Sequence, residues 1–260
     1  MSAATAKIVT AAVLVIGNEI LSGRTKDKNL GYIAEQLTEL GIQVLEARVV
    51  ADIEDEIVAA VNALRAKYDY VFTTGGIGPT HDDITADCVA KAFGLPIGPN
   101  PKAVAMMEAH YQRTGADFNE ARRRMSRTPE GATLVENPIS TAPGFRVENV
   151  YVMAGIPQIA QAMFQSLKHE LIGGDPMLSV AITAYIGEGT LAPGLGQIQA
   201  NHPDVDIGSY PFHRDGTYGA TLVCRSSDTG ALQQVGDAVR ALIRELGAEP
   251  LEKDMGSDDD

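Results

Sequence analysis

The sequence predicts an α/β fold with a parallel sheet, followed by a smaller α+β module. Three observations carry this. Near-continuous apolar runs alternate with segments of helical periodicity through the first half of the chain. Glycine-rich turns follow the first and third of those runs. The pattern then changes at "IGGDPM", near residue 173, to the order β-α-β-β-α.

The elements follow in order. "IVTAAVLVIG" (8–17) reads as a strand buried on both faces. "DKNLGYIAEQLTELG" places Leu30, Ile33, Leu37 and Leu40 on one helical stripe, with Gly41 as terminator. "IQVLEARVV" is a second strand. Asp52 is suited to cap the next helix, whose stripe is Ile53, Ile57, Val61 and Leu64. "YDYVFTT" is a third strand, and a helix begins near Ile84. Residues 100–127 read as two helices, and a Pro- and Gly-rich passage runs through "NPISTAPGF" to "VYVMAGIPQ" before the helix "QIAQAMFQSLKHEL". The module beyond reads as strand "LSVAITAYI", short helix "GLGQIQANH", strands "VDIGSYPF" and "GATLVCR", and helix "TGALQQVGDAVRALIREL". The expected domains are 1–172 and 173–252, with a disordered acidic tail at 253–260. "MSAATAK" at the start is expected to fray as well.

Composition bounds function. A net charge of -13 and a pI near 4.8 argue against nucleic acid, whose binding leans on Lys and Arg neutralising phosphates. Membrane partnership is not expected, since no run reaches the roughly 18 apolar residues of a span and no secretory leader opens the chain. A cytoplasmic location is the expectation. Cys88 and Cys224 each sit in an apolar run and are expected to be buried, reduced thiols.

The informative stretch is "TTGGIGPTHDDITAD" (73–87). Gly75, Gly76 and Gly78, between a buried strand and a helix N-terminus, form a backbone cradle suited to phosphate. It lacks the Lys-Ser/Thr ending of a P-loop, and the first turn lacks G-x-G-x-x-G. Asp82 and Asp83 place two carboxylates beside it. They are compatible with phosphate when a divalent cation lies between, so both are candidate metal ligands and catalytic groups; one of them is equally suited to cap the helix. Glu19 is a third candidate carboxylate, and His81 either meets a metal or ligand or faces solvent. His110 and His169 read as solvated helix faces, His202 as a helix end, and His213 as adjoining a turn at 214–216. Arg122, Arg123 and Arg124 read as a solvated face or as reaching a ligand phosphate.

"GNEILSG", "KDKN", "TTGGIGPTHDDIT", "STAPGF" and "GIP" occur in the order and spacing of the molybdopterin-binding (MoaB/MogA-like) domain family. Over roughly residues 8–170 the chain most resembles the version found at the N-terminus of the CinA proteins and of eukaryotic FAD synthase. The remainder, with "LGQIQANHPDVDIGSYPF", resembles the small domain that follows it in some members. The resemblance implies a three-layer α/β/α sandwich and a nucleotide or pterin ligand. On the CinA side it implies metal-dependent hydrolysis of nucleotide pyrophosphates such as ADP-ribose or FAD, with Mg, Mn or Co. On the other side it implies molybdopterin handling.

Carried over, Gly75, Gly76, Gly78 and Thr80 match the ligand loop. Asp83 matches the family acid and Asp82 the additional acid of the CinA branch. Glu19, Asp27 and Asn29 match first-turn polar positions, and Pro143 and Gly144 the late loop. Two positions depart from the pattern: Asn18 stands where Asp is usual, and "MAGIP" with Ala154 replaces Leu-Pro-Gly-x-Pro. No room for a C-terminal amidase domain is expected, and a homo-oligomer is. Three readings follow: a metal-dependent hydrolase of dinucleotide pyrophosphates, a molybdopterin- or nucleotide-binding protein without turnover, and a structural or regulatory protein with a vestigial pocket.

Overall fold

A computed structural model describes residues 8–214 and 216–252; the two expected tails, 1–7 and 253–260, lie outside the described residues. The chain divides between Gly174 and Asp175 into two compact units.

The first unit runs β1 (Val9–Ile16), α1 (Asn18–Leu21), α2 (Asn29–Glu39), β2 (Ile42–Val50), α3 (Glu54–Arg65), β3 (Tyr70–Thr74), α4 (Thr85–Phe93), β4 (Ile97–Pro99), α5 (Pro101–Thr114), α6 (Glu120–Arg124), β5 (Arg127–Pro129), β6 (Thr133–Val135), β7 (Gly144–Val147), β8 (Val150–Met153) and α7 (Pro157–Leu167). A six-stranded sheet has the order β2-β1-β3-β8-β7-β6. β2, β1, β3 and β8 are parallel, whereas β7 runs antiparallel to both of its neighbours, β8 and β6, so the sheet is mixed. Strands β7 and β8 lie within the Pro- and Gly-rich passage, and β6 just before it. β4 and β5 pair separately.

The apolar run of β1 is explained by the layers on either side of it. Ala12, Leu14 and Ile16 enter one core with Ile57, Val61 and Leu64 of α3 and Val89 of α4. Ala11, Val13 and Val15 enter the other with Ile33 and Leu37 of α2 and Phe164 and Leu167 of α7. Successive side chains of a strand point to opposite faces, so a central strand covered on both sides must be apolar at every position. The outcome is a three-layer α/β/α sandwich.

Asp52 does not cap α3: that helix starts after Ile53 with no side-chain cap, and the Asp52 carboxylate instead accepts the Asn18 N–H at 2.8 Å. It thereby ties the turn after β1 to the end of β2. Beneath α3, Glu46 of β2 accepts from the Tyr68 hydroxyl (2.7 Å), Arg48 Nε (2.6 Å) and Lys67 Nζ (3.0 Å). Tyr68 first, then Arg48 and Lys67, hold its carboxyl down from 4.5 to about 2. A carboxyl depressed on folding contributes stability that is present above its unfolded pKa and lost as pH falls from about 4.5 through about 2. Glu46→Gln is therefore expected to flatten the acid limb of stability across that window, as read by urea midpoints at stepped pH. An unchanged limb would show that the cluster is inert in solution.

The second unit is β9 (Leu178–Ala184), α8 (Glu188–Asn201), β10 (Asp206–Arg214), β11 (Thr217–Ser226), α9 (Thr229–Glu245) and β12 (Leu251–Glu252), with an antiparallel sheet of order β10-β11-β9-β12. Its core joins Ile182, Leu222 and Cys224 to Leu191 of α8 and Val235, Val239 and Ile243 of α9. α8 begins six residues before the expected start at Gly194 and contains Pro193. A proline costs one helical hydrogen bond; burial of Leu191 in the first turn and close packing of Gly194 on Leu242 of α9 offset it. Cys88 and Cys224 are both buried and unpaired, and burial pushes their thiols up to about 12 and about 11. Among the described residues no helix is long and apolar enough to cross a membrane.

Candidate functional site

The parallel strands β1, β3 and β8 end at Ile16, Thr74 and Met153, and the turns that follow them meet over the carboxyl edge of the sheet, where open α/β sheets place ligands. A cleft of about 590 Å³ lies there. Its floor is Gly75 to Pro79 with Asp83, Glu19 contributes from the first turn, and Ala154 to Pro157 from the third.

The glycines are dictated first by the protein's own packing. Gly75 has φ +106°, and a Cβ there would lie 2.1 Å from the Ile16 carbonyl oxygen; Gly76 has φ +68°, and its Cβ would lie 2.1 Å from Thr85 Oγ1. Both positions demand glycine on two counts. Thr85 fixes the loop by donating its hydroxyl to Gly75 O (2.9 Å) and its N–H to Gly76 O (3.0 Å). Gly75 N–H is taken by Met153 O at 3.1 Å. The next three N–H groups, of Gly76, Ile77 and Gly78, have no protein acceptor among the described residues. These three successive donors belong to residues that line the cleft, a pattern suited to an anion.

The acids divide. Asp83 is half-buried, faces the cleft, and accepts through Oδ2 from Thr80 N–H (2.8 Å) and Thr80 Oγ1 (2.5 Å). Asp82, 62% exposed, points away beside the freely exposed His81 and does not line the cleft. The Thr80 hydroxyl, then its own backbone N–H, hold Asp82 below the ordinary carboxylate range. Neither acid caps α4, whose N-cap is Ile84 without a side-chain bond; that expectation fails because the 80–83 turn closes on itself one residue too early. Glu19 folds back over Gly17, where a Cβ would lie 2.6 Å from its Oε1.

The remaining expected residues act from behind. Asn29 is buried and donates Nδ2 to Gly155 O at 2.8 Å, bracing the "GIP" turn; its Oδ1 and the hydroxyls of Thr73 and Thr74 have no protein partner. Asp27 accepts the Leu30 N–H at the start of α2. Pro143 lines a narrow space beside Gly78 and Asp83, and Gly144 lies buried in β7 with no room for a Cβ against Val152 O. Ala154, at the altered position, lines the cleft.

The opposite wall was visible in sequence only through "STAPGF". Tyr111 of α5, Met125, Asn137, Ser140 and Ala142 complete the cleft. Buried Asn137 shapes the 137–142 loop, accepting from Ile139 and Ser140 N–H and donating to Ala142 O (2.8 Å). Thr141 holds φ +66°, and its hydroxyl meets His110 Nδ1 at 2.9 Å. His110 is thus half-buried and engaged rather than a solvated face. Arg124 Nη2 donates to Asp83 O (3.0 Å), and Arg127 pairs twice with Asp87 of α4 (3.1 and 2.6 Å).

Among the described residues no three His, Cys, Asp or Glu gather into a metal cage. Asp83 and Glu19 both line the cleft, and a hard cation such as Mg²⁺ takes one or two carboxylates plus phosphate oxygens and keeps several waters.

Residues 12–173 match the family "Probable molybdopterin binding domain", and residues 176–252 match "FAD synthase, middle domain". A protein of Caldivirga maquilingensis is 32% identical over 91% of this chain and 95% of its own length. One of Pyrobaculum calidifontis is 35% identical over 78% of this chain and 80% of its own. The crystal structure of the protein CinA from Thermoplasma acidophilum is 34% identical, covers 63% of this chain and 98% of that one, and superposes with a TM-score of 0.58. The chain therefore belongs to the molybdopterin-binding domain family, and its remaining residues 176–252 are similar to the FAD synthase middle domain.

Proposed function

We propose that the protein is a metal-dependent hydrolase of nucleotide pyrophosphates of the ADP-ribose or FAD type. The observation that carries this reading is the pairing of three free main-chain donors, Gly76 to Gly78, with two carboxylates, Asp83 and Glu19, on one cleft. An anion cradle alone is weakened by adjacent acids; with a divalent cation shared between acid and phosphate the same acids support binding.

The chain's own groups have distinct tasks. The N–H groups of Gly76 to Gly78 hold non-bridging phosphate oxygens and fix the pyrophosphate in place. Asp83, locked by Thr80 and Arg124, presents its carboxylate in a fixed position. Glu19 is the second carboxylate of the cleft and the group placed to take a proton from attacking water. Ile156, Ile159, Met163 and Met125 give the cleft an apolar end suited to a heteroaromatic ring. A bound Mg²⁺, Mn²⁺ or Co²⁺ would supply charge neutralisation and a more acidic water.

A second reading, binding of a pterin or nucleotide without turnover, is favoured by the missing third acid and by the engagement of Asp83 Oδ2 with Thr80. The test is a screen of ADP-ribose, FAD and related pyrophosphates with and without Mg²⁺, Mn²⁺ and Co²⁺. Metal-dependent release of a nucleoside monophosphate is the expected result. Saturable binding with no release under any metal would leave the binding protein standing.

A further inference from the structure

The outer strand of a sheet presents a row of unpaired main-chain groups that a second chain can take. Among the described residues most such edges are short or guarded. β6 has three residues and β12 two. β10 carries Pro211, and the side chain of Gln199 takes its Ile207 N–H at 3.0 Å. β2 differs. It is nine residues long, it is the outer strand of the six-stranded sheet, and "IQVLEARVV" contains no Pro, Gly or Lys. Its bulge is confined to Leu45, near the start, and Leu45, Ala47 and Val49 are all exposed.

The pairing with β1 fixes which main-chain groups are open. Val50 O accepts the Gly17 N–H, so the main chain of Val50 faces the β1 side, and by alternation that of Arg48 and Glu46 does too. Ala47 and Val49 turn their N–H and C=O outward. A twofold-related copy of β2 laid antiparallel along this edge must therefore centre on an outward residue. Centred on Val49, it sets Glu46 against Asp52 of the copy. Centred on Leu45, it sets Glu46 and Arg48 against Val44 and Ile42. Centred on Ala47, it sets Glu46 against Arg48 of the copy and Leu45 against Val49, each pairing occurring twice by symmetry. Glu46 and Arg48 share the α3 face of the sheet with Ala12 and Leu14, whereas Ala47 and Val49 share the other face with Val13 and Val15. In this register the strand is complementary to itself in charge on one face and in apolar character on the other.

We propose that β2 is the docking edge for a second copy of this chain, pairing antiparallel about Ala47 so that two six-stranded sheets run on as one. Ala47 and its copy exchange main-chain hydrogen bonds at the axis, and Glu46 and Arg48 of the copy form the close, non-hydrogen-bonded pair beside it. Arg48, bonded to Glu46 of its own chain at 2.6 Å, then lies between two carboxylates.

The test is sedimentation equilibrium of the full chain over a dilution series, where twice the 27.6 kDa of one chain is expected at the upper end. Ala47→Pro removes an outward N–H without breaking a bond to β1, and Ala47→Lys sets like charges on the axis. Both are expected to be monomeric where the wild type is dimeric, with an unchanged circular dichroism spectrum. Cysteine substitutions read the register, since Cys88 and Cys224 are buried. In Ala47→Cys the two Cα atoms would lie about 5.5 Å apart, within disulfide reach. Mild oxidation is expected to cross-link that variant and the Leu45→Cys, Val49→Cys double variant, but neither Leu45→Cys nor Val49→Cys alone. A wild type that is monomeric at every concentration, folded position-47 variants that stay dimeric, or cross-linking as fast from Leu45→Cys alone as from Ala47→Cys would overturn the proposal. If Ala47→Pro fails to fold, Ala47→Lys and the cysteine series decide by the same criteria.

Discussion

Asp83→Asn is expected to lower metal-dependent pyrophosphate hydrolysis by about a thousandfold, equivalent to about 4 kcal/mol on the barrier. The substitution is clean because of what Asp83 does structurally. Its Oδ2 accepts from the Thr80 N–H and hydroxyl, and the carbonyl oxygen of an asparagine accepts both bonds as well. Arg124 grips the main-chain carbonyl of residue 83, which the change does not touch. The turn should therefore persist, with a melting temperature close to wild type, while the charge is lost. Steady-state rates across a metal titration give the readout. Wild-type rates at limiting metal would remove Asp83 from the chemistry and leave it as a turn residue.

The second large effect is expected at Gly76. Valine there meets Thr85 Oγ1 at 2.1 Å from a backbone at φ +68°, so it strains both the side-chain packing and the main chain. Left-handed backbone costs a β-branched residue about 1–2 kcal/mol, and overpacking typically about 1–3 more. The expected loss is about 2–5 kcal/mol in urea unfolding, together with nucleotide binding. Full stability in Gly76→Val would mean that the loop relaxes freely and that its glycines answer to the ligand alone.

What could be read from the sequence was what has a local cause. β1 announces itself because both faces of a central strand are covered, and α2, α3 and α9 because their inner faces repeat with helical spacing. The glycine loop was legible for a similar reason, its positive φ angles and close approaches being written as residue type. The antiparallel return β8-β7-β6 was not, since strands of three and four residues set among Pro and Gly carry too little pattern. Much of the far wall of the cleft went with it, because Asn137 reaches the site only through that return and Tyr111 only through the placing of α5. Adjacent spacing suggested that Asp82 and Asp83 act as a pair. Neighbouring residues in a tight turn point apart, however: Asp83 lines the cleft and Asp82 does not.

Gly155 packs so closely on Gly75 that a Cβ would lie 3.2 Å from the Gly75 Cα, and Asn29 grips the Gly155 carbonyl. Three turns from distant parts of the chain thus interlock, and a change in one requires simultaneous changes in the others. Such a floor accepts almost no single substitutions, because contacting residues couple strongly in their effects. The wall formed by the 137–142 loop, α5 and α6 has no comparable lock on the floor beyond the Arg124 bond to Asp83 and the Arg124 and Arg127 pairs with Asp87. New ligand preferences are thus open to single steps there, while the glycine-loop half stays frozen as an inherited constant of the scaffold.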